Sequence, residues 1–289
     1  MMMVKNEISI LVIGCRGQLG TELMSALRCH RVTGVDIDTL DITDIDAVRR
    51  FFDLYGFDIV INCAAFVAVD AAESRPDECA ALNDTAVATL CNACKRQHSR
   101  MIHISTDYVF DGKASVPYTE DEPTAPTTVY GATKLAGEHH VKQLLGNDGM
   151  VIRTAWLYSS HGNNFVKTMQ RLGRERERVN VVVDQIGSPT SAASLAGAIA
   201  TIIDSNKWQG GIYHYTDEGV ASWYDLAVAV MELSGLSCQV MPVNTDEYPT
   251  TAVRPRYSVL DKHKIRDTYG VETPHWRLAL KRVLVGDLL

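Results

Sequence analysis

The sequence predicts an α/β fold, a doubly wound parallel sheet with a smaller C-terminal lobe interleaved with it. Two observations carry this. Short apolar runs alternate with helical stretches through the first 155 residues, the rhythm of parallel strands joined by crossover helices. Beyond residue 155 that rhythm breaks into shorter, irregular pieces, with no internal repeat.

Taken in order, strands are expected at 8–13, 31–35, 58–62, 101–105 and 150–154. Each is an apolar run rich in Ile and Val, or ends in one, as in ILVI, DIVIN, MIHIS and MVIRT. Helices are expected at 21–27, 45–54, 76–97 and 129–145, where the apolar period is helical. The second half predicts a helix at 163–172, a strand at 179–183, a helix at 194–203 and a strand at 211–215. The charge run at 174–178 reads as a solvated helix end. Ser222 opens a further helix as its N-cap, with Asp225 in the first turn. After Leu236 the chain is rich in Pro and Thr and closes on a helix at 276–283. The expected division is a dinucleotide-binding domain at 1–155, to which 179–215 returns, and a substrate lobe from 156–178 and 216–289.

Composition narrows the function. A formal net charge of -7 argues against a nucleic-acid partner. No apolar run approaches the ~18 residues of a membrane helix, and the start lacks the layout of a signal peptide. Seven cysteines at irregular spacing read as reduced thiols of a cytoplasmic protein. Cys91 and Cys94 form one CxxC without a second pair, and no HExxH occurs, so no metal is expected.

Three motifs carry chemistry. Gly14, Gly17 and Gly20 follow the first strand and open a helix. Such glycines let the backbone approach a pyrophosphate seated on the helix N-terminus, here over Gly17, Gln18 and Leu19. The turn makes the fold Rossmann-like and the cofactor NADPH or NADH. Asp36 ends the second strand, where an acid bonds adenosine ribose hydroxyls and favours NAD. Arg16 faces the opposite way, toward a 2′-phosphate, and favours NADP. Asp41 is expected near the adenine, and Ile42, Ala64 and Ala65 are counted with the cofactor contacts.

The second motif is Tyr130-Gly131-Ala132-Thr133-Lys134. Helix positions i and i+4 share a face. A lysine ammonium there is expected to depress the phenol's pKa and suit it to proton transfer. The third is the run from Ser105 to Gly112, STDYVFDG, at the carboxyl end of the fourth strand. A hydroxyl at that edge, from Thr106 or Ser105, can bond a reacting oxygen beside Tyr130.

Together GCRGQLGTEL, INCAAFVAVDAAES, STDYVFDG, YGATKLAGE, RTAWLY, GNNFVKTM, DQIGSPT and RPRYSVLD resemble the dTDP-4-dehydrorhamnose reductases, extended short-chain dehydrogenases, over nearly the whole chain. The resemblance implies a catalytic set of Thr106, Tyr130 and Lys134, with a dTDP-sugar held by Val69, Asp70, Tyr108, Trp156 and Asn164. Arg254 is assigned to the diphosphate on charge. The implied reaction is NAD(P)H-dependent reduction of the C4 ketone of dTDP-4-dehydro-L-rhamnose, by a monomer or homodimer. Phe66-Val67 stand where the family often has Tyr-Thr or His-Thr, and Ala71 where it often has Lys, which leaves the exact sugar open. Two alternatives stay open: another sugar-nucleotide reductase, epimerase or dehydratase, and a non-catalytic NADP-binding regulatory subunit. A dehydratase wants paired carboxylates after the threonine, and here Asp107 is followed by Tyr108.

Overall fold

The computed structural model describes residues 8–285; the N-terminal seven residues, read above for a signal peptide, lie outside them. Strands β1 (Ser9–Ile13), β2 (Arg31–Val35), β3 (Ile59–Asn62), β4 (Arg100–Thr106) and β5 (Gly149–Thr154) form one sheet with a sixth strand, Gly211–His214. The order is Gly211–His214, β5, β4, β3, β1, β2, and every pairing is parallel. The chain leaves β1 for β2, then restarts at β3 on the other side of β1. Loops diverge at that reversal and open a crevice at the carboxyl ends of the strands.

Helices α1 (Gln18–Ala26), α2 (Ile45–Leu54), α3 (Val69–Ser74), α4 (Pro76–Ala80), α5 (Ala86–Gln97), α6 (Val129–Leu145), α7 (Phe165–Glu175), α8 (Ala192–Asp204) and α9 (Trp223–Leu233) cover the sheet and build the second lobe. Side-chain alternation along a strand explains why both faces are covered. Ile10 and Val12 of β1 pack with Leu19 and Leu23 of α1 and Leu195 and Ile199 of α8. Leu11 and Ile13 point the other way, to Val48 and Phe52 of α2, Leu90 of α5 and Val141 of α6. A third core in the smaller lobe joins Val166 and Met169 of α7 to Leu226 and Val230 of α9 and to Trp276 and Leu280.

The parallel α/β sheet is the one expected, and the departures have local causes. Helix α1 starts at Gln18, inside the glycine turn, rather than after it. The helix expected over 76–97 is three pieces, because a π-helical turn, Ala81–Thr85, separates α4 from α5. Asn83 in that turn is fully buried, and its carboxamide accepts from Phe66 N (2.8 Å) and donates to Phe66 O (3.1 Å). The widened turn aims that side chain at the loop after β3. Helix α3 was not expected. The strand Arg178–Val182 does not return to the sheet; it pairs with Gln239–Val243 in the smaller lobe. What returns from the stretch 179–215 is α8, on α1, and Gly211–His214, on β5.

Gly20 is the tightest of the three turn glycines. A Cβ there would lie 2.1 Å from Gly14 O, against 3.3 Å for one at Gly17. Only glycine at position 20 lets α1 sit this close to the end of β1. Gly20→Ala should therefore cost about 1–3 kcal/mol of stability by overpacking, read from urea unfolding. A smaller loss for Gly20→Ala than for Gly17→Ala would contradict this reading of the contact.

Candidate active site

A cavity of about 780 Å³ opens where the carboxyl ends of the strands meet the smaller lobe. Its floor is the glycine turn. Gly14 has φ +76°, and its N–H donates to Val35 O at 2.9 Å. A Cβ at Gly14 would meet Ala64 N at 2.9 Å, so the β1 and β3 loops approach closely here. Gly17 is the N-cap of α1 and supplies no side-chain cap. The first amides of α1 are thus left for an anion. Gln18, Leu19, Gly20, Asp36, Ile42, Ala64 and Ala65 all line the cavity. This cradle fits a dinucleotide diphosphate.

Other expected cofactor residues lie elsewhere. Asp41 is not on the cavity wall; its Oδ1 accepts from Thr43 N (2.9 Å) and Thr43 Oγ1 (2.7 Å), which makes it a turn former. Arg16 is also off the wall, and its guanidinium pairs with Asp38 and stands 3.8 Å from Asp36. Arg16 and Asp36, expected to compete, are held together, since Arg16 N also donates to Asp36 Oδ2 at 3.0 Å.

One wall comes from β4 and α6. Tyr130, Lys134 and Glu138 are spaced by four residues, so all three lie on the face of α6 turned to β4 and β5. Gly137 lets α6 approach the π-helical turn Ala81–Thr85, since a Cβ there would meet Asn83 O at 2.5 Å. Thr106, Tyr130 and Lys134 all line the cavity, each at most 9% exposed. Burial raises the Tyr130 phenol's pKa, with the neighbouring Thr106 hydroxyl opposing. The sequence reading expected the opposite shift, from Lys134. In the structure the Lys134 ammonium is turned to the strand, 2.6 Å from Ile104 O and 3.3 Å from His103 Nε2. Burial lowers its own pKa to about 8, with Glu138 opposing. Below Lys134, Glu138 accepts three hydrogen bonds from Arg153 of β5, at 2.9, 3.2 and 2.6 Å, and one from Ser105.

The opposite wall is shared: Val69 and Tyr108 come from the sheet half, Trp156 and Arg254 from the smaller lobe. Trp156 has φ +50°, rare for a bulky residue, and stacks on Trp223 at 3.6 Å with 6° between the rings. Gly187 makes the room: a Cβ there would lie 2.6 Å from the Trp156 ring. Asp70 is off the wall; it pairs with Arg254 and accepts from Ala252 N at 2.9 Å. Arg254 also donates to Tyr108 Oη at 3.1 Å. Asn164 is off the wall too. It caps α7 by accepting from Lys167 N (3.0 Å) and donates to Gln18 Oε1 (2.8 Å) and Ser159 O (2.8 Å). Its neighbour Asn163 reaches the cavity instead. Sequence reasoning missed Trp223, Gln185 and the buried group His103, Glu138 and Arg153. Trp223 alone had a signal, the helix start at Ser222.

A glycine cradle beside a threonine–tyrosine–lysine set at one cavity defines an NAD(P)H-dependent oxidoreductase of the short-chain dehydrogenase type. Residues 8–287 match the family described as RmlD substrate binding domain. The dTDP-4-dehydrorhamnose reductase of Streptomyces griseus is 42% identical over 276 residues, 93% of this chain and 91% of that one. Among solved structures, a dTDP-4-dehydrorhamnose reductase of Clostridium acetobutylicum is 41% identical with a TM-score of 0.92, covering 96% of this chain and 98% of the other. The Bacillus anthracis dTDP-4-dehydrorhamnose reductase in complex with NADP is 37% identical with a TM-score of 0.93, covering 96% and 99%. The chain belongs to the dTDP-4-dehydrorhamnose reductase family. Among the described residues, no helix is long and apolar enough to cross a membrane.

Glu138→Ala would leave the fully buried Arg153 guanidinium without its carboxylate. The expected loss is about 3–5 kcal/mol of unfolding free energy. Denaturant midpoints for the wild type and the variant check it; equal midpoints would show that the pair does not hold the wall.

Proposed function

We propose that the chain reduces the C4 ketone of dTDP-4-dehydro-L-rhamnose to dTDP-L-rhamnose, with Tyr130 as proton donor. One observation carries this: Thr106, Tyr130 and Lys134 meet on the cavity wall beside the uncapped start of α1. NADPH or NADH, when bound, supplies the hydride that reaches C4.

The sheet half, with α8 and Gly211–His214, holds the cofactor. The amides of Gln18 and Leu19 would take its diphosphate beside Gly17, whose own N–H donates to Gly14 O at 3.1 Å, and Asp36 would take a ribose hydroxyl. Val69, Tyr108, Trp156 and Arg254 hold the dTDP-sugar from the other side. Arg254 offers the diphosphate its charge in competition with Asp70. As C4 becomes tetrahedral, negative charge grows on the ketone oxygen. Tyr130, kept protonated by burial well above neutral pH, donates its proton there. A neutral buried phenol suits a reductase, whose general acid must carry its proton before each turnover. Lys134 bonds the nicotinamide ribose from its place under Tyr130. Thr106 fixes the ketone against Tyr130.

Two measurements test this. Tyr130→Phe removes the acid and keeps the ring, so turnover should fall about 10²–10⁴-fold while melting temperature and cofactor affinity hold. The assay is loss of nicotinamide absorbance with dTDP-4-dehydro-L-rhamnose and a panel of other dTDP-4-keto sugars. A folded variant with wild-type turnover would remove Tyr130 from the reaction. Arg16→Ala should weaken NADPH more than NADH, by the ~1.5–3 kcal/mol of a charged hydrogen bond. An equal loss for both cofactors would show that Arg16, held by Asp36 and Asp38, does not reach the 2′ position.

A further inference from the structure

Asp107 follows Thr106 and is 3% exposed. The Thr106 hydroxyl donates to Asp107 Oδ1 at 2.9 Å and accepts from Tyr108 N at 3.3 Å. Asp107 Oδ2 is buried without a hydrogen-bond partner. Among the described residues no cation pairs with this carboxylate. The polar and titratable groups facing it are Thr106 and Tyr108 from its own segment, Tyr130 from α6 and Ser258 from the chain after Arg254. All are uncharged near neutral pH. Arg254, the cation nearest in role, is engaged by Asp70 and the Tyr108 hydroxyl.

A hydroxyl has one proton to give. While Thr106 donates to Asp107, it has none for a ketone oxygen. Its oxygen also accepts from Tyr108 N. If the carboxyl is neutral, the direction reverses. Asp107 Oδ1–H then donates to Thr106 Oγ1, Tyr108 N still donates, and the Thr106 proton is released toward the cavity that Thr106 lines.

We propose that Asp107 is a positioning residue that sets the direction of the Thr106 hydroxyl, so that Thr106 donates to the reacting oxygen only when Asp107 carries a proton. This rests on the ketone reduction proposed above. With Asp107 ionised, Tyr130 is the lone donor to the ketone oxygen. With Asp107 neutral, Thr106 is a second one. The proton that ends on the product oxygen comes from Tyr130 in both states, so the balance of the reaction is unchanged. Burial without a counter-ion raises the carboxyl's pKa to about 6, which puts the change near neutral pH. The sign follows: the neutral form, present below that pKa, is the more active one, and the advantage is lost as pH rises through it.

The test is kcat/KM against pH for the wild type, Asp107→Asn, Thr106→Val and the double variant. The wild type should rise toward low pH, by about 10²-fold between plateaus, the worth of one oxyanion donor. Asp107→Asn, whose amide N–H donates to Thr106 at every pH, should stay near the upper plateau. Lys134 titrates higher, at about 8, and any limb it adds should persist in Asp107→Asn. In the Thr106→Val background, Asp107→Asn should change nothing. A separate readout needs no substrate: an infrared titration of wild type minus Asp107→Asn should show a protonated-carboxyl band lost as pH rises through about 6. Turnover with a flat wild-type profile, or a limb that survives in Asp107→Asn, overturns this inference alone. No wild-type turnover at any pH overturns the proposed reaction and this inference with it.

Discussion

The Glu138–Arg153 ion pair fixes the register on which the site depends. Glu138 stands two turns of α6 beyond Tyr130, and Arg153 is the next-to-last residue of β5. Joining them, with Ser105 of β4 on the same carboxylate, pins one helix against two strands. A slide of α6 by one turn would separate the phenol from Thr106 and place Lys134 away from Ile104 O. Both charges are about 2% exposed or less, so the pair bears a large desolvation cost. An apolar contact would be cheaper, but it would tolerate sliding. The geometry of the fork, and the nearby cation–π contact of Arg153 with Phe110 at 5.0 Å, does not.

The smaller lobe is held to the sheet by polar contacts of long sequence separation. Asp70 reaches Ala252 N and Arg254, and Asn164 reaches Gln18 in the glycine turn. Each of these side-chain pairs joins a residue on the cavity wall, Arg254 or Gln18, to one off it, Asp70 or Asn164. The same residues that a ligand-centred reading assigns to substrate therefore serve the joint between the two halves. Strand Arg178–Val182, paired with Gln239–Val243, keeps that lobe coherent without borrowing an edge of the main sheet.

This explains what the sequence made legible. The glycine turn, the Tyr130–Lys134 spacing and the capping box at Ser222 are local patterns, and their geometry follows from backbone period and side-chain size. The roles of Asp70 and Arg254 depend on a partner across 184 residues, which no local pattern announces. Asn164, expected at the substrate from the resemblance, caps α7 and reaches Gln18 across 146 residues, a contact that the local sequence does not announce. The π-helical turn at Ala81–Thr85 preserves helical periodicity on both sides, so it leaves little trace in the apolar pattern. The phenol's raised pKa was equally hidden, because it comes from burial, and the spacing of a tyrosine and a lysine says nothing about how deeply the ring is packed.

Trp156 and Trp223 stack nearly parallel at the cavity wall. Two indoles so close and so aligned share their electronic excitation, and that coupling depends steeply on their separation and tilt. The molecule thus carries an optical reporter in the smaller lobe's share of the cavity wall. Near-ultraviolet circular dichroism registers the arrangement of this pair directly, with no label attached and no reaction taking place.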